Sequence, residues 1–145
     1  MNLPEYITID EVKRVCRELG IRDWTALTEA SVTQEEAAIV LESLHVTELE
    51  IVLEDFQAGL EVELEHGLMF DDANVTNNHP VLTGKIVLAH FKESLDYYKR
   101  LEVAELEGDM FNAAVAGNAA KVESYLKRLV KAKLILSQHE ADGLA

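Results

Sequence analysis

The sequence predicts an all-α protein, a helical bundle of about five to six helices around a long central antiparallel hairpin. Three observations carry this. Apolar residues recur at helical spacing through most of the chain, capping residues stand where the stripes begin and end, and no segment alternates apolar and polar residues as a strand would. At 145 residues the chain is long enough to bury a core as one domain, 1–145, without disulfides or metal.

Thr8 reads as the N-cap of the first helix, with Glu11 completing a capping box. Val12, Val15, Cys16 and Leu19 then form one face, and Gly20 is a stop. The lone cysteine sits on that face and reads as a small core hydrophobe. Residues 21–32 connect, with Trp24 and Leu27 returning to the core. The pattern then repeats: Thr33 caps, Glu36 completes a box, and Ala37, Val40, Leu41 and Leu44 form the stripe. Setting TIDEVKRVCRELGI against TQEEAAIVLESLHV gives 4 identities in 14, too few and too short to make a solenoid.

A third helix is expected from Thr47 to His66, with apolar residues on several sides, as in a central or shared helix. The Asp- and Asn-rich residues 67–79 read as a loop. Pro80 opens a fourth helix, striped by Leu88, Phe91, Leu95 and Tyr98 and continuing to about Glu107. A short Ala-rich helix follows Gly108, Gly117-Asn118 is a stop and restart, and a last helix spans 119–137 with Val122, Tyr125, Leu126, Leu129 and Val130 on one face. Fraying is expected from about Glu140.

Charge narrows the function classes. Residues 1–79 hold 18 acidic and 4 basic side chains, whereas residues 80–145 hold 9 of each. Such an acidic half repels nucleic acid and anionic membrane, so neither is expected as a partner. It is a solubilising face or a docking surface for a basic partner; the basic helix 119–137 is its complement within the molecule or in a neighbour. No apolar run reaches membrane-spanning length, and the N-terminus lacks the pattern of a signal peptide. The expected setting is cytoplasmic or virion-associated.

Chemistry concentrates in residues 59–98. Glu63 and His66 form Glu-x-x-His on the third helix, and His90 and Glu93 repeat it in reverse on the fourth. Facing pairs of this kind hold metal ions in ferritin-like bundles, so Glu63, His66, His90 and Glu93 are candidate ligands for iron or zinc. A hairpin with its loop ends level opposes this, because it sets Glu63 near Thr83 and Lys85, on the order of 10 Å from His90. The simpler alternatives are an ion pair from Glu63 to Lys85, His66 at the helix C-terminus, and His90 bonded to Glu93 or a tyrosine. No nucleophile elbow or phosphate loop is present, and no catalytic residues are assigned.

The linked blocks GLEVELEHG, NVTN, TGKIVLAH and E-x-x-DYY-x-R-L resemble the signature of a small uncharacterised helical domain family of bacteria, archaea and tailed phages. The resemblance covers about residues 33–101, making 1–32 and 108–145 additions to a core hairpin. It marks Asn74, Thr76, Asn77, Thr83, Lys85 and Tyr97 as motif positions and implies no activity. Three positions depart from it. Asn78-His79 stand where relatives have acidic residues before the proline, and Leu95 replaces a proline, which implies a fourth helix running through without a kink. The expected function is a non-enzymatic structural or interaction protein with a protein partner or self-association, in its most concrete form a virion or capsid component of a tailed phage. The alternatives are a metal-binding helical protein and an acidic regulator of a basic partner.

Overall fold

The computed structural model describes residues 4–144 and places six α-helices among them. These are α1 (Ile9–Leu19), α2 (Gln34–Ser43), α3 (Leu53–Met69), α4 (Pro80–Glu93), α5 (Tyr97–Val115) and α6 (Ala119–Leu144). Two single 3-10 turns, Trp24–Ala26 and Asp71–Ala73, sit in the connections, and no strand occurs among the described residues. By its contacts the chain divides into two compact units, Met1–Glu93 and Ser94–Ala145.

The first unit is built around α4, which packs against α1, α2 and α3. Its core takes the apolar stripes read from the sequence: Val12, Cys16, Trp24, Val40, Phe56, Leu60, Leu64 and Val87 are all but fully buried. Burial also pushes the Cys16 thiol above its ordinary pKa, consistent with a packing role. Gly84 shows why α4 can lie so close to α2. A Cβ there would stand 2.9 Å from Val40 Cγ1 and 3.1 Å from Leu44 Cδ1. Gly20 adopts φ 72° and closes α1, its backbone N–H bonding to Arg17 O.

The two expected capping boxes differ. At Thr33 both halves are present. At Thr8 the hydroxyl accepts from Glu11 N at 3.2 Å, but the Glu11 carboxylate turns to Arg14, 2.6 Å away. The third helix begins at Leu53, six residues later than expected from Thr47. His45 takes a left-handed φ of 52°, and Glu48 reaches Lys92 on α4 at 2.7 Å, drawing residues 45–52 out of helical register.

The fourth helix does not run to Glu107 as expected from Leu95. It stops at Glu93 and the chain restarts at Tyr97. Buried Asp96 makes the break: its carboxylate accepts from the Ser94 hydroxyl and pairs with Arg100 at 2.6 Å. Burial pushes that carboxyl up, but Arg100 and Ser94 outweigh it and hold it below its ordinary range. A residue needed as an interior acceptor at the joint replaces proline as the breaker.

The second unit is the pair α5 and α6, joined through Gly117 at φ 67° and capped by Asn118 Oδ1, which accepts from Lys121 N at 3.1 Å. Helix α5 runs straight through Gly108, so the expected separate Ala-rich helix is its last two turns. Helix α6 continues past the expected fraying point, and Glu140 pairs with Arg100 at 2.9 Å. The hairpin core consists of Leu106, Leu129 and Ala132, with Val103, Met110 and Tyr125 packed against it. Leu126 and Val130, expected on the same face as Leu129, are instead 47% and 60% exposed.

Candidate functional site

Three of the four proposed metal ligands come together. Glu63 on α3 lies between two imidazoles, with its Oε1 3.6 Å from His90 Nε2 and its Oε2 4.0 Å from His66 Nδ1. The level register is thereby corrected. Glu63 meets residue 90 and not 83, an offset of seven residues or ~10 Å along α4. Lys85 is five residues from His90, about 140° round the helix. It lines a different cavity, of about 340 Å³, with Leu44, His45, Glu48, Leu88 and Lys92. Glu93 ends α4 at an exposed position. Among the described residues, no group of three or more His, Cys, Asp or Glu side chains is arranged to hold a metal ion.

The polar loop is held by its own side chains. Asn74 Nδ2 donates to Gly67 O at 3.1 Å and to Asn78 Oδ1 at 2.9 Å, while Thr76 Oγ1 donates to Asn74 Oδ1 at 3.3 Å. Asn77 Nδ2 reaches back to Ile7 O at 2.6 Å and Glu5 Oε1 at 2.7 Å, and buried Asn78 points its amide toward Trp24 O at 3.5 Å. Asn77 and Asn78 both have positive φ, 50° and 60°, which asparagine tolerates better than most residues. Gly67 is part of the lock. A Cβ there would sit 2.3 Å from Asn78 Oδ1.

His79 then starts α4. Its Nδ1 accepts from Leu82 N at 3.3 Å and its carbonyl from Thr83 N at 2.9 Å, the pattern of an N-cap. Burial pushes the His79 pKa down, keeping the ring in the neutral form that can accept. This explains the departure before the proline: a neutral imidazole does the work of the acidic side chain that the resemblance implies there. Thr83 is buried one turn on, and Tyr97 stacks edge-on against Tyr98 with ring centroids 5.2 Å apart.

Sequence reasoning placed Glu36 in a capping box and Glu61 in the signature block but missed their long-range partners. Glu61 Oε1 accepts from Val32 N at 3.0 Å, fixing the entry to α2 against α3. Glu36, buried at the start of α2, accepts from Arg22 Nε at 2.9 Å and Nη2 at 2.6 Å, and from the backbone N–H groups of Arg22 and Thr33. Burial pushes the Glu36 carboxyl up, but Arg22 and these N–H groups outweigh it and hold it at about 2. The available signal was that Arg22 is the last cation before a stretch of 62 residues without one, from position 23 to 84.

The other feature missed is an exposed apolar face on the second unit. Phe111 and Val115 at the end of α5 are 67% and 73% exposed. Ala114, Val122 and Leu126 line a shallow apolar pocket of about 430 Å³ at the loop end of the hairpin. Phe111 lies one turn before Ala114 and Val130 one turn after Leu126, so both helices extend the same face. The recurrence of Leu126, Val130 and Leu134 every four residues beside the Tyr125–Leu129 stripe was its signature.

No curated protein matches the chain, and no solved structure does. A family model matches residues 12–107, taking in most of α1, which the sequence reading had set outside the family core. The match ends six residues beyond the 33–101 of the resemblance, and by it the chain belongs to the family described as protein of unknown function (DUF5661).

Proposed function

We propose that the chain is a non-enzymatic helical interaction protein that binds a protein partner through the α5–α6 hairpin. The observation that carries this is the row of large apolar side chains left in solvent there, Phe111, Val115, Leu126 and Val130, at 67%, 73%, 47% and 60% exposure. Contiguous apolar surface of this kind marks interaction sites. The polar residues of the first unit support the same reading from the other side. Glu36, Glu61, Asn74, Asn77 and Asn78 are each engaged with backbone or neighbouring side chains. Groups committed in this way are poor candidates for turning over a substrate. A virion or capsid-associated component of a tailed phage is the most concrete version, and it draws on the resemblance alone.

The test is the state of the protein purified natively from its own source. The reading expects it in a complex, with itself or with another chain, that Phe111→Glu or Leu126→Glu disrupts. A free monomer under those conditions refutes it. The alternative, a protein binding iron or zinc at a carboxylate–histidine cluster, draws on Glu63 lying between His66 and His90.

A further inference from the structure

We infer that the occupant of the exposed hairpin face is a second copy of this chain, docked as a two-fold four-helix bundle. The inference rests on the interaction reading above and adds the identity of the partner.

Three observations lead to it. The hairpin is thinly packed for its length. Among the described residues, helices of 19 and 26 residues bury Tyr98, Leu106, Ala113, Leu129 and Ala132, two of them alanines. Meanwhile larger side chains, Phe111, Leu126 and Val130, stay in solvent. A pair of helices with apolar residues on a second face completes its core by adding further helices.

The face itself selects the arrangement. Helical spacing turns Glu102, Glu105 and Asp109 away from Phe111, and Lys121, Lys127, Arg128 and Lys131 away from Leu126, leaving Glu107 and Lys133 on the face, where they pair across the hairpin at 2.7 Å. A second hairpin related by a two-fold axis parallel to the helices sets each α5 over the other copy's α6, so each Glu107 meets a second Lys133. It also brings Phe111 and Val115 of one copy over Val122 and Leu126 of the other, because these residues lie at the same loop end. A two-fold axis across the helices would set the apolar loop end of one copy over the charged half of the other, and is disfavoured.

The area is sufficient. Two adjacent helices of these lengths offer a footprint of roughly 30 Å by 20 Å, about 600 Å² for each copy. Both copies together bury on the order of 1,200 Å², the lower bound of specific, stable interfaces.

The experiment uses the full recombinant chain alone, by sedimentation equilibrium up to ~100 µM. The inference expects a dimer, converted to monomer by Phe111→Glu and by Leu126→Glu with unchanged far-UV circular dichroism. Carbodiimide coupling of a mixed ¹⁴N/¹⁵N preparation is expected to give mixed-isotope peptides joining Glu107 of one copy to Lys133 of the other. If either glutamate variant unfolds, Val130→Ser serves in its place, with the same loss of dimer expected. A wild-type monomer throughout that range overturns the inference, as does a dimer indifferent to these substitutions. A recombinant monomer from a protein that is complexed in its native source removes self-association while leaving the interaction reading intact.

Discussion

Replacing Gly67 by alanine is expected to destabilise the first unit, against the ordinary behaviour of glycine within a helix. Position 67 lies inside α3, where Gly→Ala normally gains about 1 kcal/mol. Here the new Cβ would stand 2.3 Å from Asn78 Oδ1 and 3.0 Å from Asn74 Nδ2. Asn78 has little freedom to withdraw, being buried and held at φ 60° with Asn74 and Trp24 as partners. Moving the loop away breaks the Asn74 bonds to Gly67 O and Asn78, worth about 1 kcal/mol each, and leaves a buried amide short of a partner at about 1–3 kcal/mol. Setting these losses against the helix-propensity gain leaves a net loss of about 2–4 kcal/mol. Urea unfolding followed by Trp24, the chain's one tryptophan and a contact of Asn78, reads the first unit directly. With m near ~2 kcal/mol/M, the midpoint should fall by ~1–2 M. Gly108→Ala is the matched control. Gly108 is also inside a helix but has nothing within 4 Å of its virtual Cβ, and it should gain about 0.5–1 kcal/mol by circular dichroism. If Gly67→Ala stabilised as Gly108→Ala does, the loop lock would be wrong.

His79 caps α4 as a neutral acceptor and burial lowers its pKa, so the unfolded chain binds the proton more readily. The stability it contributes is therefore present above its unfolded pKa, near ~6.5, and is lost as pH falls through the folded value. Glu11 and Arg14 lie close enough to act on it electrostatically, in opposite directions. His79→Asp should flatten that part of the pH–stability curve; an unchanged slope between pH 7 and 5 would remove the cap role. Glu36 gives a second, lower window. Its folded pKa of about 2 lies below its unfolded value, so its contribution holds above ~4.3 and disappears as pH falls toward 2. Glu36→Gln at neutral pH is expected to cost about 2–4 kcal/mol, because it leaves Arg22 unpaired and an N-cap half satisfied; a change under 0.5 kcal/mol in urea unfolding would contradict this. For the Glu63–His66–His90 cluster, EDTA should leave the melting temperature of natively purified protein unchanged. A drop restored by zinc or iron, and abolished by His90→Ala, would reinstate a metal site there.

Local signals were legible in the sequence and long-range ones were not. Thr33–Glu36, Gly20, Pro80 and Gly117 mark helix ends because capping is decided within a few residues, and each stands at or next to an observed boundary. The apolar stripes through Val12, Phe56 and Val87 were readable for the same reason. The breaks at residues 45–52 and 94–96 were not, since each depends on a side chain finding a partner elsewhere: Glu48 on Lys92, and Asp96 on Arg100. Propensity alone favours continuing both helices. The Glu63–His90 contact was obscured by the assumption of a level hairpin, because the shift is set by how the Asn-rich loop folds under Gly67. In α6, periodicity could not tell an inward stripe from an outward one a quarter-turn away. Both are apolar, and only the packing of α5 chose Leu129 and Ala132 over Leu126 and Val130.

The division into two units makes the structural and functional roles separable by experiment. The signature's polar residues sit mainly in Met1–Glu93 and act through buried or part-buried bonds, so removing them should register as lost stability of that unit. The exposed apolar residues of the hairpin sit in Ser94–Ala145 and contribute little to the folded chain while they face water, so Phe111→Glu should leave the unfolding free energy read by Trp24 within ~0.5 kcal/mol of wild type. Association should follow the opposite pattern. It should be lost on Phe111→Glu and retained in Gly67→Ala at temperatures where that variant is folded. If both substitutions lowered stability and association together, the hairpin would be part of the first unit's cooperative fold, and its apolar face would have to be explained as packing. If they separate, the residues of the signature hold a scaffold, and the chemistry of recognition lies on the helices that follow it.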